Sequence, residues 1–244
     1  MYGGTMKYTI VGKGRIGTML KALSTDAILI GRDEAIPADD PIIVATRCDD
    51  LDDVLSRVPQ TAREKLIFVQ NGMLHSWLLA NHLENSTQAL LYVAVSARGA
   101  TPVDGGGSVV HGQLASFFCD VLRQGELQCR EVTKPEYSTE LIEKYVWNCG
   151  FGLLCSFFSC SVGEVVQNHR LAADALLWEL AQDTAQLLGV SIDRGICERL
   201  CMYSTSIFSY RGAVKEWEWR NGWLWKQHQG ALHSQYVEAL GCIK

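Results

Sequence analysis

An α/β chain, with an N-terminal Rossmann-type doubly wound sheet followed by an all-helical C-terminal domain, is predicted by three features of the sequence. Short continuous apolar runs alternate with helix-spaced segments through the first half, a GxGxxG turn follows the first run, and the strand signature vanishes beyond about residue 135.

The elements follow in order. KYTIV at 7–11 reads as a strand, GKGRIG at 12–17 as a turn, and Ile16–Leu23 as an apolar-faced helix ending near Ser24-Thr25-Asp26. AILIG at 27–31, PIIVAT at 41–46, KLIFV at 65–69 and ALLYVAV at 89–95 read as further strands. Between the last three, Leu51, Val54, Leu55 and Val58, then Leu74, Trp77, Leu78 and His82, recur at helical spacing. Apolar strands joined by helical crossovers predict a parallel sheet covered on both faces. Gly105-Gly106-Gly107 reads as a loop between strands, and the polar GELQCREVTKP ends one domain, giving units over 1–133 and 134–244. In the second, Leu171, Leu177, Leu180, Ala181, Leu187 and Leu188 repeat at helical spacing up to a capping Gly189. A further helical run over about 193–210 leads into the tryptophan-rich KEWEWRNGWLWKQ, whose rings read as packing.

Composition narrows the function classes. The chain has 244 residues, 48% of them apolar, and a net charge of −5 with its cations dispersed, so no basic stripe tracks a phosphate backbone and nucleic acid is not expected as a partner. No run of about 18 apolar residues exists and MYGGTMKYTIVGKG lacks a leader layout, so a cytoplasmic protein without a membrane span is expected. Nine cysteines without a CxxC pair read as reduced thiols, with no metal site and no disulfide framework. His111 and His169 read as surface or hydrogen-bonded side chains, and Cys149 and Cys155 have no nearby histidine to activate them.

The glycine turn follows a strand and opens a helix, the context in which GxGxxG holds a dinucleotide. Gly12 permits the tight turn, Gly14 lets the backbone approach a pyrophosphate, Gly17 allows close packing, and the N–H groups opened by Arg15 and Ile16 face the phosphates. The alternative is a structural strand-to-helix turn. About twenty residues on, Gly31-Arg32-Asp33 ends the second strand, where an acid holds the ribose 2′-hydroxyl of NAD and an arginine suits the 2′-phosphate of NADP. Arg32 favours NADP(H), and Asp33 counts the other way.

IEKYVWNCGFGLLCSF, at 142–157, is almost wholly apolar apart from Lys144 and Asn148. On a helix, residues four apart share a face, so the ammonium and the amide point to one place. An unpaired ammonium is expensive to bury, so the pair points to a polar site rather than to packing alone. The alternative is a lysine that snorkels outward.

YTIVGKGRIG, VQNGM at 69–73, the Lys144–Asn148 pair in EKYVWN, CSVGEV at 160–165 and EWEWRNGWL at 216–224 occur in order, and in this the sequence resembles the ketopantoate reductases (2-dehydropantoate 2-reductases). The resemblance implies Lys144 as general acid, and Asn71, Asn148 and Ser204 as substrate-binding groups. It also implies Asn71 beside the nicotinamide, Glu216 near the cofactor ribose and Arg47 near the cofactor where many members have lysine. The implied reaction is NADPH-dependent reduction of a small anionic 2-keto acid, with ketopantoate leading. A related dehydrogenase with another substrate, or a catalytically silent NADP-binding protein, are the other readings. Gly152 stands where many members carry a second amide, and the link from Arg32 to Pro41 and the C-terminus are short, so a reshaped cleft is expected. A homodimer through the aromatic C-terminal segment is compatible with the sequence.

Overall fold

The computed structural model describes residues 7–242 and divides into two compact units, Met1–Tyr137 and Ser138–Lys244. The opening MYGGTM, part of the stretch read above as lacking a leader layout, lies outside the described residues.

In the first unit β1 (Tyr8–Val11) leads through the glycine turn into α1 (Arg15–Ala22) and then β2 (Ala27–Ile30). β3 (Ile42–Val44), α2 (Leu51–Arg57), β4 (Leu66–Phe68), α3 (His75–Ala80) and β5 (Thr87–Leu90) follow. β6 (Val93–Ala94), β7 (Val103–Asp104), β8 (Ser108–His111), α4 (Ala115–Arg123) and β9 (Cys129–Glu131) complete it. The main sheet runs β2-β1-β3-β4-β5-β8-β9, parallel from β2 to β5. The chain leaves β1 toward β2 and returns past it to β3, so the strand order reverses between β1 and β3. In such sheets the crevice for a nucleotide lies outside the carboxyl ends of the strands at that reversal. β1, β3 and β4 are fully buried, which is why their sequences are unbroken apolar runs. Tyr8, Ile10, Ile43 and Ile67 pack with Leu20 of α1 and with Phe118 and Leu122 of α4, and the Tyr8 hydroxyl donates to Leu20 O at 3.2 Å.

Three expectations change. ALLYVAV is not one strand: the sheet strand ends at Leu90, and β6 pairs with β7 in a separate two-stranded sheet. The break falls at Tyr92, whose N–H donates to the Ser108 hydroxyl oxygen at 2.9 Å and whose carbonyl accepts from the Gly105 N–H at 2.7 Å. The sheet is also mixed, because β8 pairs antiparallel to β5, and the polar stretch read as a boundary contains β9, parallel to β8. Third, His111 is buried in β8 against the Tyr137 ring, and burial pushes its pKa down to about 4.

The second unit is all helix: α5 (Lys134–Phe158), α6 (Val162–Asn168), α7 (Arg170–Leu188), α8 (Ile196–Ser206), α9 (Asn221–Gln227) and α10 (Ala231–Ala239). The chain crosses from one unit to the other within the first turns of α5. From Ile142 to Cys155 this helix is buried on most sides, which explains its nearly continuous apolar sequence. Gly150 admits Leu177 of α7, since a Cβ there would lie 2.6 Å from Leu177 Cδ2. α7 ends at Gly189 in the left-handed region, as its sequence predicts, although Leu171 at its start is 86% exposed rather than core. Glu179 of α7 accepts from the backbone N–H groups of Leu232 at 3.0 Å and His233 at 2.7 Å, fixing the start of α10. All nine cysteines are free, and among the described residues no single helix is long and apolar enough to cross a membrane.

α6 starts with a reciprocal cap: Ser161 Oγ accepts from Glu164 N while Glu164 accepts from Ser161 N. Ser161→Ala is expected to cost about 1 kcal/mol in urea unfolding, with the denaturant dependence unchanged.

Candidate active site

The glycine turn is built to leave an empty space at a helix start. Gly12 has φ +118°, and a Cβ on it would lie 2.8 Å from Ala45 O, so only glycine fits against β3. A Cβ on Gly17 would lie 1.8 Å from Gly12 O, which packs α1 tightly onto the turn. Gly14 is different, because a Cβ there would meet nothing within 4 Å. Gly14 caps α1 without a side-chain hydrogen bond, and the first turn has no acid. The first-turn N–H groups of an α-helix have no intrahelical acceptor, so those opened by Arg15, Ile16 and Gly17 suit an anion. The residues therefore fit a dinucleotide phosphate. The Arg15 side chain itself is engaged with Val95 O at 3.1 Å.

Around this turn stand the ends of β2, β3 and β4. Arg32 is 74% exposed and pairs with Asp50 at 3.2 Å, and Lys13 pairs with Glu34 beside Gly31. Arg47 and Asn71 are exposed just past β3 and β4. Gln70, which the sequence did not single out, is buried and donates from Nε2 to Val44 O at 2.8 Å and Thr46 O at 3.3 Å. It thereby ties the end of β3 to the turn that carries Asn71.

In the second unit Lys144 and Asn148 lie one turn apart on α5, both partly buried, and Asn148 Nδ2 donates to Lys144 O at 2.8 Å. The segment 216–221 meets them. Glu216 sits in the left-handed region at φ +47°, an uncommon conformation for a residue with a Cβ. Its carboxylate accepts from Arg220 Nη2 at 2.7 Å, and Arg220 Nη1 reaches Asn148 Oδ1 at 3.5 Å. The Tyr145 hydroxyl donates to Arg220 O at 2.6 Å, pinning that main chain to α5. Burial first, and then the Arg220 charge, pushes Lys144 down to about 7.

Lys144, Asn148 and Glu216 are thus brought into one cluster, with Arg220 at its centre. Arg220 has no assigned role in the sequence reading; a charged residue four places after Glu216 in a tryptophan-rich run was the available signal. Ser204 has a different surrounding. It is fully buried, its hydroxyl donates to Leu200 O at 2.8 Å and accepts from Trp147 Nε1 at 2.9 Å, and so it has no proton left for a carboxylate. The Cys149 thiol is pushed up to about 12 by burial, consistent with an inert core residue. Gly152, the missing amide, faces the chain at 212–214, where a Cβ would lie 3.0 Å from Ala213 O. Main chain occupies the space that a side chain would need.

Two outcomes are expected. Gly17→Ala should destabilise the chain by about 2–4 kcal/mol in urea unfolding, whereas Gly14→Ala should change stability by less than about 1 kcal/mol yet weaken binding of a nicotinamide dinucleotide tenfold or more in a fluorescence titration. Lys144→Met should stabilise the protein by roughly 1–3 kcal/mol near pH 6, where the folded chain carries a poorly solvated ammonium. Between pH 7 and the ordinary lysine pKa of about 10.4 the unfolded state binds more protons, so the wild type gains stability as pH rises and the advantage of the variant shrinks. Urea unfolding at pH 6, 8 and 10 checks the trend.

No family model and no curated protein matches the sequence. Solved structures do match over nearly the whole chain. A ketopantoate reductase from Staphylococcus aureus, described as dimeric, is 17% identical, with 97% of this chain and 98% of that chain covered and a TM-score of 0.73. A 2-dehydropantoate 2-reductase from Methylococcus capsulatus is 12% identical, with 97% and 96% covered and a TM-score of 0.76. D-Mandelate dehydrogenase in complex with NADH is 16% identical, with 97% and 98% covered and a TM-score of 0.71. The chain accordingly has the fold of these enzymes, a Rossmann-type unit followed by a helical one.

Proposed function

We propose that the chain is an NADPH-dependent reductase of a small 2-keto acid, with ketopantoate, reduced to pantoate, as the leading substrate. One observation carries the reading: Lys144, lowered to about 7, shares a helix face with Asn148 in an otherwise apolar helix, beside Glu216 and Arg220. When bound, the reduced nicotinamide supplies the hydride. The Lys144 ammonium stabilises the negative charge that builds on the ketone oxygen and then donates its proton there, leaving a neutral amine and a hydroxy acid. A pKa near the working pH suits an acid that must be recharged on every turnover. Asn148 orients the substrate, and Asn71 supplies a second amide.

The Gly14 cradle and the start of α1 hold the pyrophosphate, with Arg47 close to the cofactor. The exposed guanidinium of Arg32 favours NADPH over NADH, because its planar fork can exchange Asp50 for a 2′-phosphate. A homodimer is the assembly we propose, from the fold shared with a dimeric ketopantoate reductase. Gly152, covered by the Ala213 carbonyl, supports a second reading in which a different 2-keto acid is the substrate, and D-mandelate dehydrogenase shows that the fold is not confined to ketopantoate reductases.

The test is turnover followed at 340 nm with NADPH and NADH against ketopantoate, benzoylformate and a panel of small 2-keto acids. Reduction by NADPH is expected, with kcat/KM falling tenfold per pH unit above about pH 7 as Lys144 loses its proton. Lys144→Ala should retain NADPH binding and lose at least about 100-fold in kcat. Tight NADPH binding without turnover of any keto acid would overturn the reading and leave a binding protein.

A further inference from the structure

The second unit contains one group that the proposed reaction has not yet used. Arg220 has a side chain only 9% exposed, and its charge is met by one carboxylate, Glu216, 23% exposed. Its other contacts are incomplete. Nη1 has a 3.5 Å approach to Asn148 Oδ1, at the outer limit of a hydrogen bond, and the buried Nε has no partner. Buried guanidinium donors are normally satisfied, and an unfilled one marks a place where a partner is missing or a function is served.

The neutral donors of this unit that could hold a carboxylate are depleted. The Ser204 proton goes to Leu200 O, one Asn148 Nδ2 proton goes to Lys144 O, and position 152 has no side chain. The charged donor beside Asn148 is Arg220, whose field also reaches Lys144. A small carboxylate held by Nη1 would offset the repulsion that Arg220 exerts on the Lys144 ammonium, keeping the acid charged when substrate is present.

We propose that Arg220 is the substrate-carboxylate receptor of this site, the residue that makes it selective for 2-keto acids over neutral ketones. The proposal rests on the reductase reading for the identity of the site, and substrate binding tests it without turnover. Arg220 stays anchored through Glu216 and through the Tyr145 hydrogen bond to its carbonyl, and presents Nη1 beside Asn148. Lys144 is then left to the ketone oxygen. Arginine suits this division, since it holds its charge at every relevant pH while the neighbouring lysine exchanges its proton.

Calorimetry on the NADP⁺-loaded protein would compare ketopantoate and benzoylformate with their methyl esters, for wild type, Arg220→Gln and Arg220→Lys. Arg220→Gln is expected to weaken each bound acid about 10- to 100-fold and its ester less than threefold, with Arg220→Lys recovering part of the loss because the charge returns without the fork. The same variants should raise KM for the acid far more than they lower kcat. The double variant Glu216→Gln/Arg220→Gln, which leaves no unpaired buried charge, serves if Arg220→Gln alone does not fold, and should show the same loss of acid over ester. Equal losses for acid and ester, or no preference for acid in the wild type, overturn the proposal while wild-type turnover keeps the reductase reading. Loss of acid binding in Arg220→Gln with no wild-type turnover does the reverse. Failure of the wild type to bind either acid overturns the proposal outright.

Discussion

A nearly buried guanidinium held by one carboxylate forms the constraint around which the helical unit is arranged. Withdrawing a charge from water costs several kcal/mol unless partners replace the lost solvent, and breaking a buried pair by deleting one member leaves the other exposed to the full penalty. The chain meets this cost locally. Glu216 takes an unfavourable backbone conformation to reach Arg220 one turn away, Tyr145 clamps the Arg220 carbonyl to α5, and Asn148 stands 3.5 Å from Nη1 while the buried Nε stays unfilled. The Tyr145 and Asn148 contacts could not be kept if α5 turned on its axis, because both residues would leave the face that 216–221 meets. Helix rotation, loop conformation and lysine acidity are therefore linked through a single guanidinium.

The first unit solves a related problem with main chain. Its helix start has no capping side chain and no first-turn acid, leaving N–H dipoles aimed at open space beside Gly14. Each unit thus offers donors to an anion, backbone N–H groups in the first and the Arg220 guanidinium in the second. Dispersed surface cations would not produce this. The chemistry proposed requires both, since its two ligands are anions of different kinds.

Legibility in the sequence followed the range of the interactions. The glycine turn, the buried strands and α7 with its Gly189 cap rest on contacts within a few residues or on burial of whole segments, and composition reveals both. β8 was hidden because Ser108 and His111 flank only two apolar residues, and β9 is a largely exposed edge strand without an apolar alternation. The division of ALLYVAV at Tyr92 depends on Ser108 and Gly105, more than ten residues away, and no local pattern encodes it. At the site, Lys144 and Asn148 were readable because helical periodicity alone puts them together. The Arg220 contacts were not, since they reach Asn148, which is 72 residues earlier, and the bonding of the Ser204 hydroxyl to Trp147 and Leu200 O is equally invisible to a local pattern.

Gly152 extends the same reasoning to substrate choice. An amide at that position would be a movable donor that could adjust to several ligand shapes. Here the Ala213 carbonyl approaches the helix instead, and a side chain could enter only if the main chain at 212–214 moved. Backbone held between two elements adapts less than a rotamer does, and a carbonyl oxygen accepts hydrogen bonds where an amide also donates them. The exchange therefore removes a donor suited to an anionic or ketone oxygen and substitutes an acceptor fixed in place. Under the proposed function, affinity for a keto acid comes from charge, through Lys144 and Arg220, while discrimination among keto acids falls to the shape and polarity of their remaining groups.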